Sequence, residues 1–391
     1  MQNATHFEEG QPRSTRCSLL PDESSRLRLG SSGVRLIGRE PRCSTVERSN
    51  RRTLFRQINP DLSWRPEISR LTGELLRGPH LMLSLGIDYD PSDWRAAAWD
   101  ENRAVDLQTF TQVDELWDFV EELTTLHPAM PIVLPSGLGM PVTHVGEILD
   151  QDIVEMTLQP GRPNAGGLGQ FLAEARRRSL RAFCIPAVKL LPTVPPHRKL
   201  NRLDLGASDA LCAATWTIHC LEVGGRPHAA CDFVLLHTRI GTRSLLVVQA
   251  GRIVDGLGAT PDQVARGGAL TPFASLPGGS PSARRMPDAG SGGPGIGQEA
   301  LWETVQKETL GLLGFHKLSE LILTGIRRVE FSQALATRLP LVQLPAPPDG
   351  YEAALGAAII AAGLTGGPTA PLVEHLRLRE ARERALDWIT A

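Results

Sequence analysis

The residues of this chain best suited to chemistry fall in four short stretches. Between Lys199 and Asp209 the sequence KLNRLDLGASD gathers Lys199, Asn201, Arg202, Asp204 and Asp209. Asp204 or Asp209 can orient or deprotonate an acceptor group, and Lys199 or Arg202 can hold an anion. Helix capping competes with that reading, because a carboxylate in a first turn favours the positive end of the helix dipole. Asp88 ends an apolar strand, LMLSLGID, where a carboxylate can hold a metal-bound water or cap the following turn. In HTRIGT (237–242), Gly241 and Thr242 offer bare backbone and a hydroxyl to an anion, although hairpin closure also uses glycine. The last stretch, AGRIVDGLGAT (250–260), surrounds Asp255 with Gly251, Gly256 and Gly258 ahead of Thr260. Either a ligand approaches this bare backbone or the strand makes a tight exit into the segment that follows.

Holding such stretches together takes a large framework, and 391 residues suffice for two or three domains. A hydrophobic content of 41% with a net charge of -2 argues against a nucleic-acid or membrane surface over the whole molecule. The six cysteines form no C-x-x-C pair and have no neighbouring His at zinc-like spacing, so free thiols are expected rather than a metal site or a disulfide framework. No apolar run long enough for a membrane span and no secretory h-region is present, which leads to a cytoplasmic expectation.

Residues 1–80 are rich in Arg, Ser and Pro and lack either period, so they read as disordered or weakly ordered. Residues 1–81 hold fourteen Arg, no Lys and nine acids, and the interleaved acids make a basic binding arm the weaker reading. From residue 81 three strands (LMLSLGID, WRAAAWD, RAVDLQTF), a helix over 113–126 and a strand over 130–136 follow one another. A long apolar helix over about 207–222 precedes a second three-strand run, CDFVLLHT, SLLVVQAG and RIVDGLG. The domain layout expected is 81–205, then 206–367 with a mobile Gly/Pro/Ser loop over 261–298, then a C-terminal amphipathic helix over 368–391.

The two three-strand runs match without a gap at an offset of 149 residues, which sets Asp88 on His237 and Asp106 on Asp255. A helix and a further strand follow each run, so duplication explains the register, and two related α/β domains would leave a cleft between them.

Duplicated units with polar turns, Thr324-Gly325 ending a later strand and a Gly/Ala-rich final helix over 353–363 resemble the acetate and sugar kinase, heat-shock chaperone and actin superfamily. Within it the chain is similar to the group labelled predicted butyrate kinases, through Leu134 to Pro141, Lys199 to Asp209, Gly251 to Thr260, and Ala354 to Ala358 with Gly363 to Gly367. The resemblance runs from about residue 81 to 367. It implies two ribonuclease-H-like domains with ATP and Mg²⁺ in the cleft, and a small-molecule substrate, with a homodimer compatible. Asp88 to Asp93 would be the first phosphate-facing turn and Asp88 the metal residue. His237 to Thr242, including Thr238, Gly241 and Thr242, would be the second such turn, and Thr324-Gly325 would lie at the adenosine. Asp255, Gly256, Gly258 and Thr260 would line the nucleotide side, Ser136 and Gly137 with Lys199, Asn201 and Arg202 the substrate side, and Asp204 and Asp209 would be catalytic.

Two features depart from that pattern. The first turn, Tyr89-Asp90-Pro91-Ser92-Asp93, has no glycine and carries extra acids, and His237 stands where an acid is usual. Carboxylates repel phosphates at close range, and a neutral imidazole is a poor Mg²⁺ ligand. The leading expectation is an ATP-dependent phosphotransferase acting on a small metabolite. A nucleotide-binding or sensing protein of the same fold without transfer is the alternative.

Overall fold

A computed structural model describes residues 83–101, 103–158, 167–261, 294–336, 339, 341–342 and 350–390. The Arg-rich segment 1–80 and residues 262–293 lie outside the described residues; the loop expected over 261–298 is shorter than that, because a helix already begins at Pro294.

The first sheet begins with three antiparallel strands, β1 (Leu83–Asp90), β2 (Asp93–Asp100) and β3 (Arg103–Phe110), followed by helix α1 (Val113–Leu126). It is completed by β4 (Ile132–Val133), β5 (Gly139–His144) and β6 (Ala182–Pro186), with α2 (Asp150–Thr157) and α3 (Leu168–Arg177) between the last two. The strand order is β3-β2-β1-β4-β6-β5. After a short α4 (Pro196–Lys199) and α5 (Ser208–Val223), the second sheet opens with β7 (Phe233–Thr238), β8 (Thr242–Gln249) and β9 (Arg252–Pro261). Then come α6 (Pro294–His316), β10 (Leu321–Gly325), α7 (Arg328–Leu335), β11 (Leu341–Val342), α8 (Glu352–Leu364) and α9 (Ala370–His375). Its order is β11-β10-β7-β8-β9. Both sheets thus hold an antiparallel meander whose first strand pairs in parallel with a later one, and the fold is that of duplicated ribonuclease-H-like units, the actin-like ATPase fold.

The duplication is visible residue by residue. Asp88 pairs with Arg95 in the first sheet and His237 with Ser244 in the second, both at the 149-residue offset. Ala98 faces Asp106 just before a bulge at Trp99, and Val247 faces Asp255 just before a bulge at Val248. Even the parallel joins correspond, Leu85 with Ile132 and Val234 with Leu321. A bulge shared at the same register is a feature of inherited backbone geometry rather than of composition.

Alternation along each strand decides what faces the middle of the molecule. In β1, Leu83, Leu85 and Ile87 pack outward with α1 and α3, leaving Ser84, Gly86 and Asp88 on the opposite face. In β7, Val234 and Leu236 join the outer cluster, whereas Phe233 and Leu235 join the central core, and His237 follows them on that face. Between the sheets lie α5 and α8, whose residues share one core with side chains of both sheets. The segment EAALGAAIIAAGL of α8 is buried throughout, as expected of a helix apolar on every side. Its small residues permit close approach: a Cβ at Gly86 would strike the Ala354 carbonyl and one at Gly356 the Cys212 carbonyl. The Ser84 hydroxyl donates to the Ala358 carbonyl at 2.9 Å.

The amphipathic helix expected over 368–391 is confined to the six residues of α9; Arg377, left-handed at φ 58°, ends it, and a single 3₁₀ turn over Leu378–Glu380 follows. The polar groups of the tail bind elsewhere. The Lys189 ammonium donates to the Ala385 carbonyl at 2.8 Å, and Lys199 pairs with Glu383 at 2.6 Å. Among the described residues no helix is long and apolar enough to cross a membrane.

Candidate functional site

β1 and β7 end beside one another, and ligands of open α/β sheets bind at the carboxyl ends of strands. There Arg239, the first residue after β7, reaches across to the first sheet. Its Nη1 donates to Asp88 Oδ1 at 3.0 Å and to Asp209 Oδ2 at 2.5 Å, and its Nε donates to Asp90 Oδ2 at 3.2 Å. Nη2 donates to the Tyr89 carbonyl. One guanidinium therefore draws together the end of β1 and the first turn of α5. The other face of the Asp90 carboxylate accepts from the Ser92 hydroxyl and amide, closing the Asp-Pro-Ser-Asp turn.

Burial opposes every charge in this cluster, and the pairing overcomes it. Desolvation acts against the guanidinium, but Asp88, Asp209 and Asp90 outweigh it and hold Arg239 above its ordinary value. For Asp209 the same desolvation is outweighed by Arg239 and, secondarily, by His237, so its carboxyl sits below the usual range. His237 goes the other way: burial pushes it down, so the imidazole is neutral at neutral pH and its 3.7 Å approach to Asp209 is a dipolar contact rather than an ion pair. Its Nδ1 bonds Thr324 Oγ1 at 3.0 Å, while the buried Nε2 has no hydrogen-bond partner. Asp93 pairs with Arg95 at 2.9 Å, yet burial raises its pKa.

Backbone closes the second-sheet side. The Thr238 hydroxyl donates to the Thr324 carbonyl at 2.9 Å and accepts from the Arg327 amide at 3.2 Å. Gly325 is left-handed at φ 92°, and a Cβ there would collide with the Thr238 carbonyl. Between Asp88, His237, Thr238, Arg239, Gly325 and Gly350 the remaining volume is about 10 Å³, the space of roughly one water.

Of the residues singled out in the sequence, Asp88, Asp209, Thr238, Thr324 and Gly325 meet here. The rest lie in other environments. Gly241 (φ 74°) sits at the exposed hairpin tip with open space around it, and the Thr242 carbonyl accepts from the Arg239 amide at 2.9 Å. Asp204 accepts from the Gly206 amide at 2.6 Å, and its carboxylate lies where a Cβ of Gly258 would stand. A Cβ of Gly256 would strike the Leu205 carbonyl, so both glycines of β9 let the 204–206 loop pack against the strand. Asp255 pairs with His316 at 3.0 Å and with Arg198 at 3.4 Å. Thr260 aligns with Arg243 in the sheet, and its side chain lies outside the described residues.

Ser136 and Gly137 hold the start of α5: the Ser136 amide donates to Ser208 Oγ at 3.0 Å and the Gly137 carbonyl accepts from the Ser208 amide at 2.9 Å. Lys199 and Asn201 hold the tail, Asn201 through Oδ1 accepting from the Thr390 amide and hydroxyl at 2.9 and 2.8 Å. Arg202 is exposed. Arg239 and Asp90, which organise the site, were not singled out from sequence. A signal existed: the 149-residue offset places Arg239 opposite Asp90, two like positions with opposite charge.

A divalent ion requires carboxylates turned toward a shared, open point, with room for its waters. Here the point on which Asp88, Asp90 and Asp209 converge is filled by the guanidinium, and the volume beside it is about 10 Å³. Among the described residues no group of three or more His, Cys, Asp or Glu is arranged to hold a metal ion. With Arg239 in this place the residues do not fit Mg²⁺, and the closed site has no room for a nucleoside triphosphate.

The chain is similar to acetate kinase from Entamoeba histolytica, at 10% identity over 65% of this chain and 85% of that one, with a TM-score of 0.41. Similarity extends to the ROK hexokinase of Thermus thermophilus (14% identity, 71% and 97% of the chains, TM-score 0.35). It extends also to the activator of 2-hydroxyisocaproyl-CoA dehydratase from Clostridium difficile with bound ADPNP (10% identity, 76% and 97%, TM-score 0.36). No curated protein matches the sequence. The sequence model of one family matches residues 105–271 and 296–391, and the chain accordingly belongs to that family, described as Protein of unknown function (DUF1464).

Proposed function

We propose that this chain is a nucleotide-binding or sensing protein of the kinase-like fold that does not transfer phosphate. The observation that carries the reading is Arg239: its donors are spent on Asp88, Asp90, Asp209 and the Tyr89 carbonyl, so the two carboxylates nearest the strand ends are engaged within the protein. The fold, the convergence of both sheets on one site, and the backbone turn at Gly325 support a nucleotide as the ligand. Binding would then require the two halves to part, because only about 10 Å³ remains between them.

A second reading is an ATP-dependent phosphotransferase acting on a small metabolite, a carboxylate such as butyrate by resemblance. It is favoured by Asp88 and Asp209, which meet on a single guanidinium nitrogen from different elements, as a pair of catalytic and metal-binding acids would have to do. On that reading Arg239 has to leave both acids before any chemistry begins.

The test is thermal unfolding of the full chain with millimolar ATP, ADP or a non-hydrolysable analogue, followed by turnover assays against carboxylates and sugars. The expected result is stabilisation by nucleotide with no transfer to any acceptor. Absence of a thermal shift with all three nucleotides would overturn both readings, and phosphate transfer to butyrate or another carboxylate would establish the second.

A further inference from the structure

The acids at the strand ends present a charge problem. Asp88 and Asp90 are buried and Asp209 is mostly so, their side chains being 5%, 2% and 17% exposed, and they sit near enough to touch one cation. Like charges so placed do not stay ionised without a counter-charge, and two of the neighbouring basic groups make no hydrogen bond to these acids. His237 is neutral at neutral pH because of its burial, and Arg95 is engaged with Asp93.

The counter-charge present is Arg239, itself 14% exposed. A guanidinium is a planar fork of five N–H donors that stays charged at any pH the fold survives. Here the fork is used on several sides: Nη1 splits between Asp88 and Asp209, Nε takes Asp90, and Nη2 takes the Tyr89 carbonyl. That is the coordination role of a cation, bringing anionic oxygens from separate elements to one point. It is also sterically committed, since the Arg239 amide is held to the Thr242 carbonyl at 2.9 Å by the hairpin it belongs to.

We infer that Arg239 is the resident cation of this site, standing in for a divalent metal ion and bracing the two sheets together. The closed protein then needs no metal, and its integrity depends on a guanidinium group at this one position. The inference goes beyond the nucleotide reading and holds whether or not nucleotide binds. In the closed protein the consequence is specific: acids that would otherwise make a metal site are held in an internal salt cluster.

The experiment uses the full chain without nucleotide, so its failure and the failure of the nucleotide reading are distinguishable. Thermal unfolding is recorded with EDTA, with millimolar Mg²⁺ and with millimolar Mn²⁺. The wild-type midpoint is expected to be the same in all three; a rise of several degrees with Mg²⁺ or Mn²⁺ that EDTA removes would overturn the inference. Arg239→Ala is then examined with and without millimolar methylguanidinium, a small molecule carrying the missing group. The variant is expected to melt on the order of 10 °C below wild type, with methylguanidinium recovering a substantial part of that loss and leaving wild type unchanged. A folded Arg239→Ala protein that melts with wild type, or one that methylguanidinium does not raise, would overturn it. If Arg239→Ala does not fold, Arg239→Lys takes its place: it keeps the charge and loses the fork, and a midpoint equal to wild type would overturn the inference, whereas a lower one agrees with it.

Discussion

The β1–β2 and β7–β8 hairpins share one backbone and differ at their tips. β9 adds a second bulge, between Leu257 and Thr260, that β3 lacks, but the hairpin registers and the bulges at Trp99 and Val248 coincide at one offset, so the strands have largely kept their geometry through the duplication. The tips have not. Asp88 corresponds to His237, and Asp90 corresponds to Arg239. Because the two tips approach each other, the second difference becomes a bond: Arg239 donates to its own counterpart, Asp90, at 3.2 Å. Had both copies kept an acid there, two carboxylates would face each other in a buried site at a cost several times thermal energy. Opposite charge at duplicated positions is therefore one way a twofold arrangement settles its own repulsion without help from an ion.

The comparison sharpens if Arg239 and Arg95 are removed in turn. Arg239 spans three carboxylates, two at the end of β1 and one in the first turn of α5, whereas Arg95 pairs with Asp93 within its own hairpin. Arg239→Met should cost about 3–5 kcal/mol, because it leaves buried acids uncompensated. Arg95→Met should cost about 1–3 kcal/mol, the range of a single charged hydrogen bond. Urea midpoints measure both. In a double-mutant cycle, Asp209→Asn combined with Arg239→Met should lose clearly less than the two single changes summed. Equal costs for the two arginines would mean that the tips are equivalent after all.

A smaller effect is expected one strand further out, where β3 and β9 also diverge. The counterpart of Gly258 is Thr109, whose hydroxyl meets the Tyr351 hydroxyl at 2.5 Å. In β9 the same position is bare because the Asp204 carboxylate, fixed to the Gly206 amide, occupies the space a side chain would need. Gly258→Ala should thus destabilise by about 1–3 kcal/mol through overpacking, and Asp204→Ala introduced with it should return part of the loss. If Gly258→Ala alone is neutral in urea unfolding, the glycines of AGRIVDGLGAT are not explained by packing, and a ligand regains the stronger claim to them.

These contrasts also show what a sequence can carry. The apolar runs of β1 and β7 and the all-apolar α8 are local patterns, and the gapless offset is a pattern of the sequence too, so strands, central helices and duplication were legible from spacing alone. The polar end of β1 was legible too, although the strand runs two residues past Asp88 to Asp90, whereas Thr324-Gly325 was picked out only through the family resemblance. Lys199 and Asn201 were not legible in the same sense: their partners, Glu383 and Thr390, stand nearly 190 residues away, and no spacing rule joins a buried lysine to a distant tail. Arg239 fell between the two cases. Its hairpin was evident, but its meaning depends on a side chain crossing from one sheet to the other, which composition does not reveal. Strand β5 and helix α2 were missed because the segment 139–157 has neither a clean alternation nor a long helical period.

The smallest effect concerns Asp88 against His237, the remaining divergent pair, and it is read through pH. His237 has a folded pKa below its ordinary value because of burial, so the unfolded chain takes up a proton near pH 6.5 that the folded chain refuses. More protons on the unfolded state mean that stability falls as pH drops below about 6.5, and it continues to fall until the lowered folded pKa is reached. His219, likewise depressed by desolvation, acts in the same direction, so the wild-type curve holds both contributions. Asp209 adds a later loss: its depressed carboxyl contributes stability that is present above the ordinary carboxylate range and disappears as pH falls through the folded value. Only a difference measurement isolates the duplicated position. His237→Asn keeps a polar group within reach of the Thr324 hydroxyl but cannot titrate, so between pH 7 and pH 5 it should lose less stability than wild type, by about 1 kcal/mol. Parallel curves for the two proteins would mean that His237 accepts its proton in the folded state. In that case Asp209 would have to be holding an imidazolium as well as Arg239, and the second tip would carry two positive charges against the acids of the first.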